Sequence, residues 1–307
     1  MMFPVFSWKS FRLPFKFTKV FVANFLEDNV RRNSSSGGAF YALSRYVLRQ
    51  HGFVIGAAYQ GTDVHHIVIA DMSDIEKLQK SKYTPSSLLG LNLDTVLLAG
   101  KPVLFSGTPC QVKSMHKRYK DEENLILVEI ACHGIPRRKE YEDYISANDI
   151  VRIDFRCKRD GWKNYLIEYE TNDGKLHYEA PQENKYYQKF LSGEIIRKGC
   201  YTCKSKFFSS GADFTLADAW GVNDFASELD DNKGSSVIIL HSHKAERIWE
   251  KVKGDFKWRQ ISLMKAIRFN PCIIRPLKSD RVMIEYVDIF CCMMESWTNR
   301  IVRLFHF

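Results

Sequence analysis

The sequence of 307 residues contains no hydrophobic run that approaches the ~20 apolar residues needed to cross a bilayer. Its longest apolar stretches, around residues 96–98 and 237–240, have the length of a strand or a core helix. The aromatic N-terminus is interrupted by basic residues such as Lys9 and Arg12, so it lacks the uninterrupted apolar segment of ~7–15 residues of a secretory signal. The sequence therefore predicts a cytoplasmic protein.

Several common motifs of catalysis and nucleotide binding are also missing. The chain has no GxGxxG or P-loop sequence and no HExxH motif. Its basic residues, 45 against 36 acidic ones, are dispersed and form no basic helix of the kind that reads DNA, so we expect no nucleic-acid partner. The net charge of +9 either favours acidic partners, such as a phosphate-bearing cofactor, an acidic electron carrier or an anionic membrane face, or has no consequence.

The pattern of predicted elements indicates an α/β fold. In the first half, strands alternate with helices, which predicts a layered core with a largely parallel sheet. After Asp149 the pattern changes to strands joined by turns such as TNDG, typical of α+β structure, and this adds a β-rich segment that bears cysteines. We divide the chain into a basic aromatic segment (1–33), an α/β half (34–149), a C-terminal half with the CxxC motif (150–262) and a helical, aromatic tail (263–307).

Eight cysteines carry most of the chemical information, and a reducing cytosol argues against disulfides. The sharpest signal is the CYTC sequence, in which Cys200 and Cys203 fit a metal or cluster, a redox dithiol, or no function. A zinc site would usually need a second close pair of ligands, and we find none. Cys272, Cys291 and Cys292 are interpreted as small buried hydrophobic residues in an apolar segment.

Two further cysteines, Cys110 and Cys132, each follow a predicted strand of the α/β half. Neighbouring parallel strands end at the same edge of a sheet, where ligand sites are built, so adjacent strands would direct both thiols into one crevice. With the CxxC pair they would make four thiolates, the number that an iron–sulfur cubane needs. Two buried cysteines at strand ends are the alternative.

A candidate phosphate cradle precedes the predicted helix that begins at Ala39. The sequence SSSGG offers hydroxyls, backbone amides and a helix N-terminus, which favour an anion, and its glycines allow close approach; a flexible linker is an equal alternative. In the sequence SKY, an ammonium beside an aromatic ring would suit a flavin, although an ordinary solvated loop fits as well.

Two further segments have open interpretations. Asp218 and Trp220 of the sequence ADAWG follow a strand, where they either line a pocket or pack in the core. His241 and His243 alternate at a strand end and are interpreted as an ordinary exposed pair.

Seven motifs in order, NSSSGGAF, KSKYTPS, VLFSGTPCQV, ACHGIP, DFRCKRDGWKNY, CYTCKSK and DFTLADAWGV, make the sequence similar to a known family. Over about residues 17–252 the chain resembles the coenzyme F₄₂₀ hydrogenase/dehydrogenase β-subunit family. The resemblance implies an electron-transfer oxidoreductase that holds FAD and a 4Fe-4S cluster. Electrons would pass between the cluster and a deazaflavin coenzyme at the flavin.

The resemblance also implies the site residues by position. The cluster ligands would be Cys110, Cys132, Cys200 and Cys203. The flavin would bind near Ser36, Gly37, Gly38, Ser81, Lys82, Tyr83 and Thr108. No catalytic side chain is implied.

Three departures from the family matter. No cysteine precedes Cys110, so the chain is expected to lack the N-terminal ferredoxin domain of many relatives and to use a separate carrier, either a ferredoxin or a deazaflavin-type coenzyme. Cys157 stands in FRCK where the family suggests Asp, and its role is open. Many bacterial members resemble parts of surface-polysaccharide gene neighbourhoods, which suggests a role in polysaccharide biosynthesis.

Two other functions therefore stay open. One is a non-redox accessory protein of polysaccharide assembly, with a structural cluster or zinc at the thiols. The other is a basic partner of the membrane surface, suggested by the Phe- and Lys-rich start and the RIVRLFHF end of the sequence.

Overall fold

The computed structural model describes residues 18–277. Its strands are β1 (Lys19–Phe25), β2 (Phe53–Gln60), β3 (Asp63–Ile69), β4 (Ser86–Ser87), β5 (Val103–Gly107), β6 (Leu125–Ile130), β7 (Ile150–Cys157), β8 (Leu166–Thr171), β9 (Leu176–Glu179), β10 (Phe214–Asp218), β11 (Ser236–Leu240) and β12 (Phe256–Ile261). Its α-helices are α1 (Asp28–Asn33), α2 (Ala39–Leu48), α3 (Ile75–Leu78), α4 (Leu93–Leu98), α5 (Pro109–Arg118), α6 (Arg138–Ala147), α7 (Lys185–Ser192), α8 (Val222–Phe225), α9 (His243–Val252) and α10 (Leu263–Phe269).

Nine strands form one mixed sheet in the order β12-β1-β11-β10-β6-β5-β2-β3-β4. Strands β10, β6, β5 and β2 are parallel neighbours, and antiparallel pairs flank them on both sides. The remaining strands form a separate antiparallel sheet in the order β7-β8-β9, in which the TNDG turn joins β8 to β9. The predicted α/β class with an added β-rich segment is confirmed.

Helices cover both faces of the large sheet because its central strands are buried and largely apolar. In β5, Leu104 packs into a cluster with Leu43 of α2 and Trp249 of α9. Its neighbour Phe105 points to the other face and packs with Val112 of α5. A strand with a continuous apolar run is usually buried on both faces, whereas a strand with alternating polar residues is buried on one face.

The large sheet takes strands from both sides of Asp149. Strand β1 lies between β11 and β12, with Lys19 opposite Leu240 on one side and Val20 opposite Ile261 on the other. The division of the chain into the four segments given above stays a prediction. Residues 1–17 and 278–307, with Cys291 and Cys292, lie outside the described residues.

Two local predictions differ from the structure. The apolar pattern of residues 88–99 predicts one helix, but only α4 forms. Gly90 has a positive φ of 82°, and Asn92 caps the helix by accepting the Thr95 N–H at 3.2 Å. Ser73 is expected to cap a short helix that extends to Gln79, but the capping residue is Asp71, whose carboxylate accepts the Ser73 N–H. No helix within residues 18–277 is long and apolar enough to span a membrane.

Candidate functional site

A cavity of about 590 Å³, hereafter the main cavity, lies at the carboxyl edge of the parallel strands. Its volume is in the range of small-molecule and cofactor sites. The ends of β5, β6 and β10 contribute Thr108, Cys132 and Asp218 to its wall. Of the residues predicted to bind a flavin, all except Gly37 line it, namely Ser36, Gly38, Ser81, Lys82, Tyr83 and Thr108.

Gly37 lies behind the cavity wall, where it allows the loop to pack on the sheet. A Cβ atom at this position would lie 2.4 Å from the Ala23 carbonyl oxygen and 2.5 Å from the Ser236 nitrogen. Gly38 follows with a positive φ of 87° and leads directly into α2, whose first residues border the main cavity. The two glycines thus bring a ten-residue helix N-terminus to the cavity, which favours an anionic group there.

The SKY loop faces the SSSGG loop across the cavity. The Ser81 hydroxyl donates to the Ser35 hydroxyl oxygen at 2.9 Å or accepts from it, which joins the two loops. The Lys82 ammonium lies 5.9 Å from the ring of Tyr59, so the aromatic neighbour is Tyr59 and not the adjacent Tyr83. Burial lowers the pKa of Lys82 to about 7, while the charge of Asp154 opposes the shift.

Sequence reasoning missed Arg156, which lines the main cavity. Its guanidinium is 2% exposed and donates to both carboxylate oxygens of Asp218, at 2.9 and 3.3 Å. It lies over the rings of Tyr165 and Trp220, at 4.3 and 5.2 Å from their centroids. Its Nε is buried without a hydrogen-bond partner in residues 18–277.

Asp218 also fixes the predicted phosphate loop. Its carboxylate accepts the hydroxyl of Ser36 at 2.5 Å, in addition to its ion pair with Arg156. Behind them, the ammonium of Lys158 donates to the carbonyl oxygens of Arg31, Ser36 and Lys233, at 2.7, 2.7 and 3.0 Å. The sequence motif ADAWG therefore lines a pocket, one of the two interpretations left open above.

Cys110 lies in the first turn of α5, at the end of β5. Its sulfur is 3.2 Å from the hydroxyl oxygen of Thr108, and the Thr108 N–H donates to the Gln111 side-chain oxygen at 3.0 Å. Cys110 is exposed, and helix N-termini stabilise thiolates. This position suits a thiolate ligand.

Three hydrogen bonds bring the other predicted ligand segments to the same place. The ammonium of Lys206 donates to the Cys132 carbonyl oxygen at 2.5 Å, and that of Lys113 in α5 donates to the Lys204 carbonyl oxygen at 2.9 Å. The Ile135 N–H donates to the sulfur of Cys200 at 3.4 Å. The loops after β6 and around the CxxC motif are thus held against each other and against α5.

The thiol of Cys132 lies among other thiols. Burial raises its pKa strongly, the Lys206 ammonium opposes this, and the thiols of Cys110, Cys200 and Cys272 raise it further. Cys272 lines the main cavity together with Cys132. Within residues 18–277, no group of three or more histidine, cysteine or acidic side chains is placed to hold a metal ion.

Cys157 lies apart from these thiols, at the end of β7. Its thiol donates to a carboxylate oxygen of Glu168 on β8 at 3.3 Å. Burial raises its pKa, and the Glu168 carboxylate adds to the shift. A protonated thiol bound to a carboxylate is a neutral hydrogen-bond donor in the small sheet.

The fold and the cavity define an α/β protein with a cofactor-sized site at the carboxyl edge of its parallel strands. The sequence model that describes the C terminus of the beta subunit of coenzyme F420 hydrogenase/dehydrogenase matches residues 100–262, which is 163 of the 307 residues. The chain belongs to this family, which confirms the resemblance noted in the sequence. Its family places it among the subunits of hydrogenases and dehydrogenases, which are oxidoreductases.

A solved structure with a similar fold is the xenon-derivatised F420-reducing [NiFe] hydrogenase complex from Methanosarcina barkeri. The match has a TM-score of 0.55 and 16% sequence identity, and it covers 78% of this chain and 81% of that chain. At this identity the similarity is one of fold. A search of curated protein sequences finds no match.

Proposed function

We propose that this chain is an electron-transfer subunit that binds FAD in the main cavity and a 4Fe-4S cluster at Cys110, Cys132, Cys200 and Cys203. The observation that carries the proposal is the position of Cys132. It borders the same cavity as Ser36 and Lys82, and the thiols of Cys110 and Cys200 lie near enough to raise its pKa. One cysteine thus joins the two predicted sites.

The residues of the main cavity fit a flavin nucleotide. The N-terminus of α2 and the ammonium of Lys82 would hold the phosphates, because both offer positive charge at the cavity wall. The buried Nε of Arg156 would donate to an oxygen or nitrogen of the ring system or of the phosphates. The aromatic side chains of Phe40, Tyr165 and Trp220 form apolar parts of the cavity wall.

The donor set at the other side fits an iron–sulfur cluster. Thiolates are soft ligands that select iron–sulfur clusters or zinc over hard cations. A bound cation removes the proton from a thiol outright, so the raised pKa of Cys132 belongs to the chain without its metal. The four cysteines would supply the four thiolates that a 4Fe-4S cluster needs.

When bound, the flavin supplies two-electron chemistry and the cluster supplies one-electron chemistry. The chain would position both and exchange electrons with a separate carrier, a ferredoxin or a deazaflavin-type coenzyme. The similar fold comes from a hydrogenase complex, which supports a protein partner for this chain. The resemblance to bacterial members with polysaccharide genes further suggests that the reaction serves surface-polysaccharide biosynthesis.

The test is to purify the full chain without oxygen and to measure iron, acid-labile sulfide, flavin and the visible spectrum. We expect a brown protein with iron and sulfide in equal amounts and bound flavin. Cys200→Ala should lose iron and colour. Cys157→Ala is the matched control, and it should keep both, since its thiol contacts Glu168.

An iron-free, colourless wild type would overturn the cluster assignment. Zinc without sulfide would support the non-redox accessory function in its place. Equal iron loss in both cysteine variants would show that the ligand set is wrong.

A further inference from the structure

A second cavity, of about 350 Å³, borders the opposite edge of the sheet. Its wall includes Leu125 and Leu127 near the start of β6, Asp213 before β10, and His241 after β11. Of the candidate site residues named in the sequence, only His241 lines it. The sequence suggested an exposed histidine pair at this point, but the His241 ring is partly buried, and burial lowers its pKa to about 4.

A chain of short hydrogen bonds leads from His241 into the sheet. Its Nε2 is 2.6 Å from the hydroxyl oxygen of Thr215, and that hydroxyl is 2.6 Å from Oε1 of Glu129. Thr215 and Glu129 are register partners on the parallel strands β10 and β6. Both are buried, at 0% and 2% exposure, so water does not separate the three groups.

This chain of hydrogen bonds can hold its protons in two ways. With Glu129 as carboxylate, the Thr215 hydroxyl donates to Oε1 and His241 donates from Nε2. With Glu129 protonated, the carboxylic acid donates to Thr215, and the Thr215 hydroxyl donates to Nε2, which leaves the ring proton on Nδ1. Conversion takes one proton up at Nδ1 of His241 and delivers one proton to Glu129, and no bond other than O–H and N–H bonds changes.

The inner end of the hydrogen-bond chain is electrostatically coupled to the thiol segments. The ammonium of Lys206 donates to the Cys132 carbonyl oxygen at 2.5 Å, and its charge also lowers the pKa of Glu129. Glu129 lies three residues before Cys132, at the end of β6. Negative charge gained at the thiol site would therefore favour the protonated form of Glu129.

We propose that Glu129, Thr215 and His241 form a proton relay that takes up one proton from the second cavity when the thiol site gains one electron. The inference rests on the proposed cluster. The electron comes from the separate carrier, and the proton comes from water in the second cavity, so the charge gained at the thiols is balanced. Glu129 and His241 are positioning and proton-holding residues, since neither touches the predicted cluster ligands.

Several charged and titratable groups surround the relay. Burial raises the pKa of Glu129, and Ser210, Thr215 and Lys206 oppose the shift. Strand β5 contributes Gly107 opposite Glu129 and no charge. On the cavity side, Asp213 accepts the Ser242 hydroxyl at 2.5 Å and lies 3.6 Å from the Lys244 ammonium. Helix α5 and the residues after it add His116, Tyr119, Lys120 and Glu122 to the wall of the second cavity.

The first experiment needs no cofactor. In the full ¹⁵N-labelled chain, the ring nitrogen shifts of His241 report which nitrogen carries the proton. As the pH falls, we expect a change from the Nε2–H to the Nδ1–H form in the wild type, and none in Glu129→Gln or Thr215→Val. His243→Gln, on the exposed start of α9, is the control and should retain the change. A wild-type ring without a pH-dependent tautomer, or the same change in Glu129→Gln, would overturn the relay.

The second experiment uses the chain with its metal. The midpoint potential of the one-electron centre should fall by up to about 59 mV for each pH unit. This value is the one-electron equivalent of a tenfold change in proton concentration. The slope should vanish in Glu129→Gln. If no centre assembles, the proposed function fails while the tautomer experiment still decides the relay. If a centre assembles and its potential does not vary with pH in the wild type, the relay is wrong.

Discussion

Arg156 and Asp218 form a buried, bidentate ion pair that joins the small antiparallel sheet to the carboxyl end of β10. The two hydrogen bonds measure 2.9 and 3.3 Å, and the arginine side chain is 2% exposed. Because Asp218 also accepts the Ser36 hydroxyl, the pair connects three walls of the main cavity. A planar guanidinium that spans a carboxylate fixes orientation better than a flexible ammonium does.

We therefore predict that Asp218→Ala destabilises the protein by about 3–5 kcal/mol, because it leaves a buried guanidinium without its counter-charge. Urea unfolding followed by circular dichroism measures the change. Asp94→Ala is the matched control, since it removes an exposed carboxylate that pairs with Arg118 at 2.7 Å. It should cost about 1 kcal/mol or less. Equal losses in the two variants would contradict a special role for the buried pair.

Gly37→Ala should damage both stability and ligand binding. The new Cβ would meet the Ala23 carbonyl oxygen and the Ser236 nitrogen at 2.4 and 2.5 Å, and neither backbone atom can move away alone. We expect a loss of about 1–3 kcal/mol in unfolding free energy and weaker FAD binding. In Gly254→Ala, where nothing lies within 4 Å of the added Cβ, the free energy should stay within about 0.5 kcal/mol of the wild type. A Gly37→Ala protein as stable as Gly254→Ala would show that the loop does not pack as described.

FAD affinity should fall as the pH rises from 6 to 8. Burial lowers the pKa of Lys82 to about 7, so its ammonium is charged below this pH and neutral above it, whereas the FAD phosphates stay ionised. Calorimetric titration with FAD would measure the dependence. Lys82→Met should show a smaller decline, part of which persists because burial also lowers the pKa of Lys158 to about 7.

The control for this experiment is Lys77→Met, which removes an exposed ammonium paired with Asp74 outside the cavity lining. It should keep the full decline. If Lys82→Met and the wild type lose affinity equally with pH, Lys82 does not contact the phosphates.

Two cysteine variants distinguish the fourth ligand of the proposed cluster. Cys203→Ser should lower the iron content of the anaerobically purified chain, since an alcohol is a poor ligand for iron–sulfur clusters. Cys272→Ser should retain its iron, since its thiol is interpreted as apolar wall of the main cavity. The opposite result would assign the fourth ligand to Cys272, whose thiol already lies near Cys132.

The local pattern of apolar and turn residues predicted the strands and turns that position the site. The apolar strands β5, β6 and β11 and the turn between β8 and β9 appear where the sequence indicates them, since uninterrupted apolar runs and turn residues act over short distances. Strand β12 carries no such signal, because four of its six residues are exposed and half of its residues, in FKWRQI, are polar. Its strand conformation comes from pairing with β1, which lies far away in sequence.

The site was predicted in part. Cysteines and glycine-rich loops have recognisable spacing, so Cys110, Cys132 and the residues around Gly38 were found. Arg156, Glu129 and Thr215 carry no such signal, because an arginine or a glutamate within a strand usually faces solvent. Glu129, Thr215 and His241 become neighbours through the pairing of β6, β10 and β11. Arg156 and Asp218 become neighbours only where the small sheet contacts the end of β10.

By itself, the amino-acid sequence determined the α/β class and the family, as well as which residue types could bind a cofactor, since hydrophobic periodicity and motif order are properties of the chain. Tertiary structure alone decided that six of the predicted flavin residues and Cys132 share one cavity. It also decided that hydrogen bonds connect the buried Glu129 carboxylate through Thr215 to His241 at the second cavity. The physical reason is that desolvation and ion pairing depend on distances between segments, and parallel strand order sets those distances.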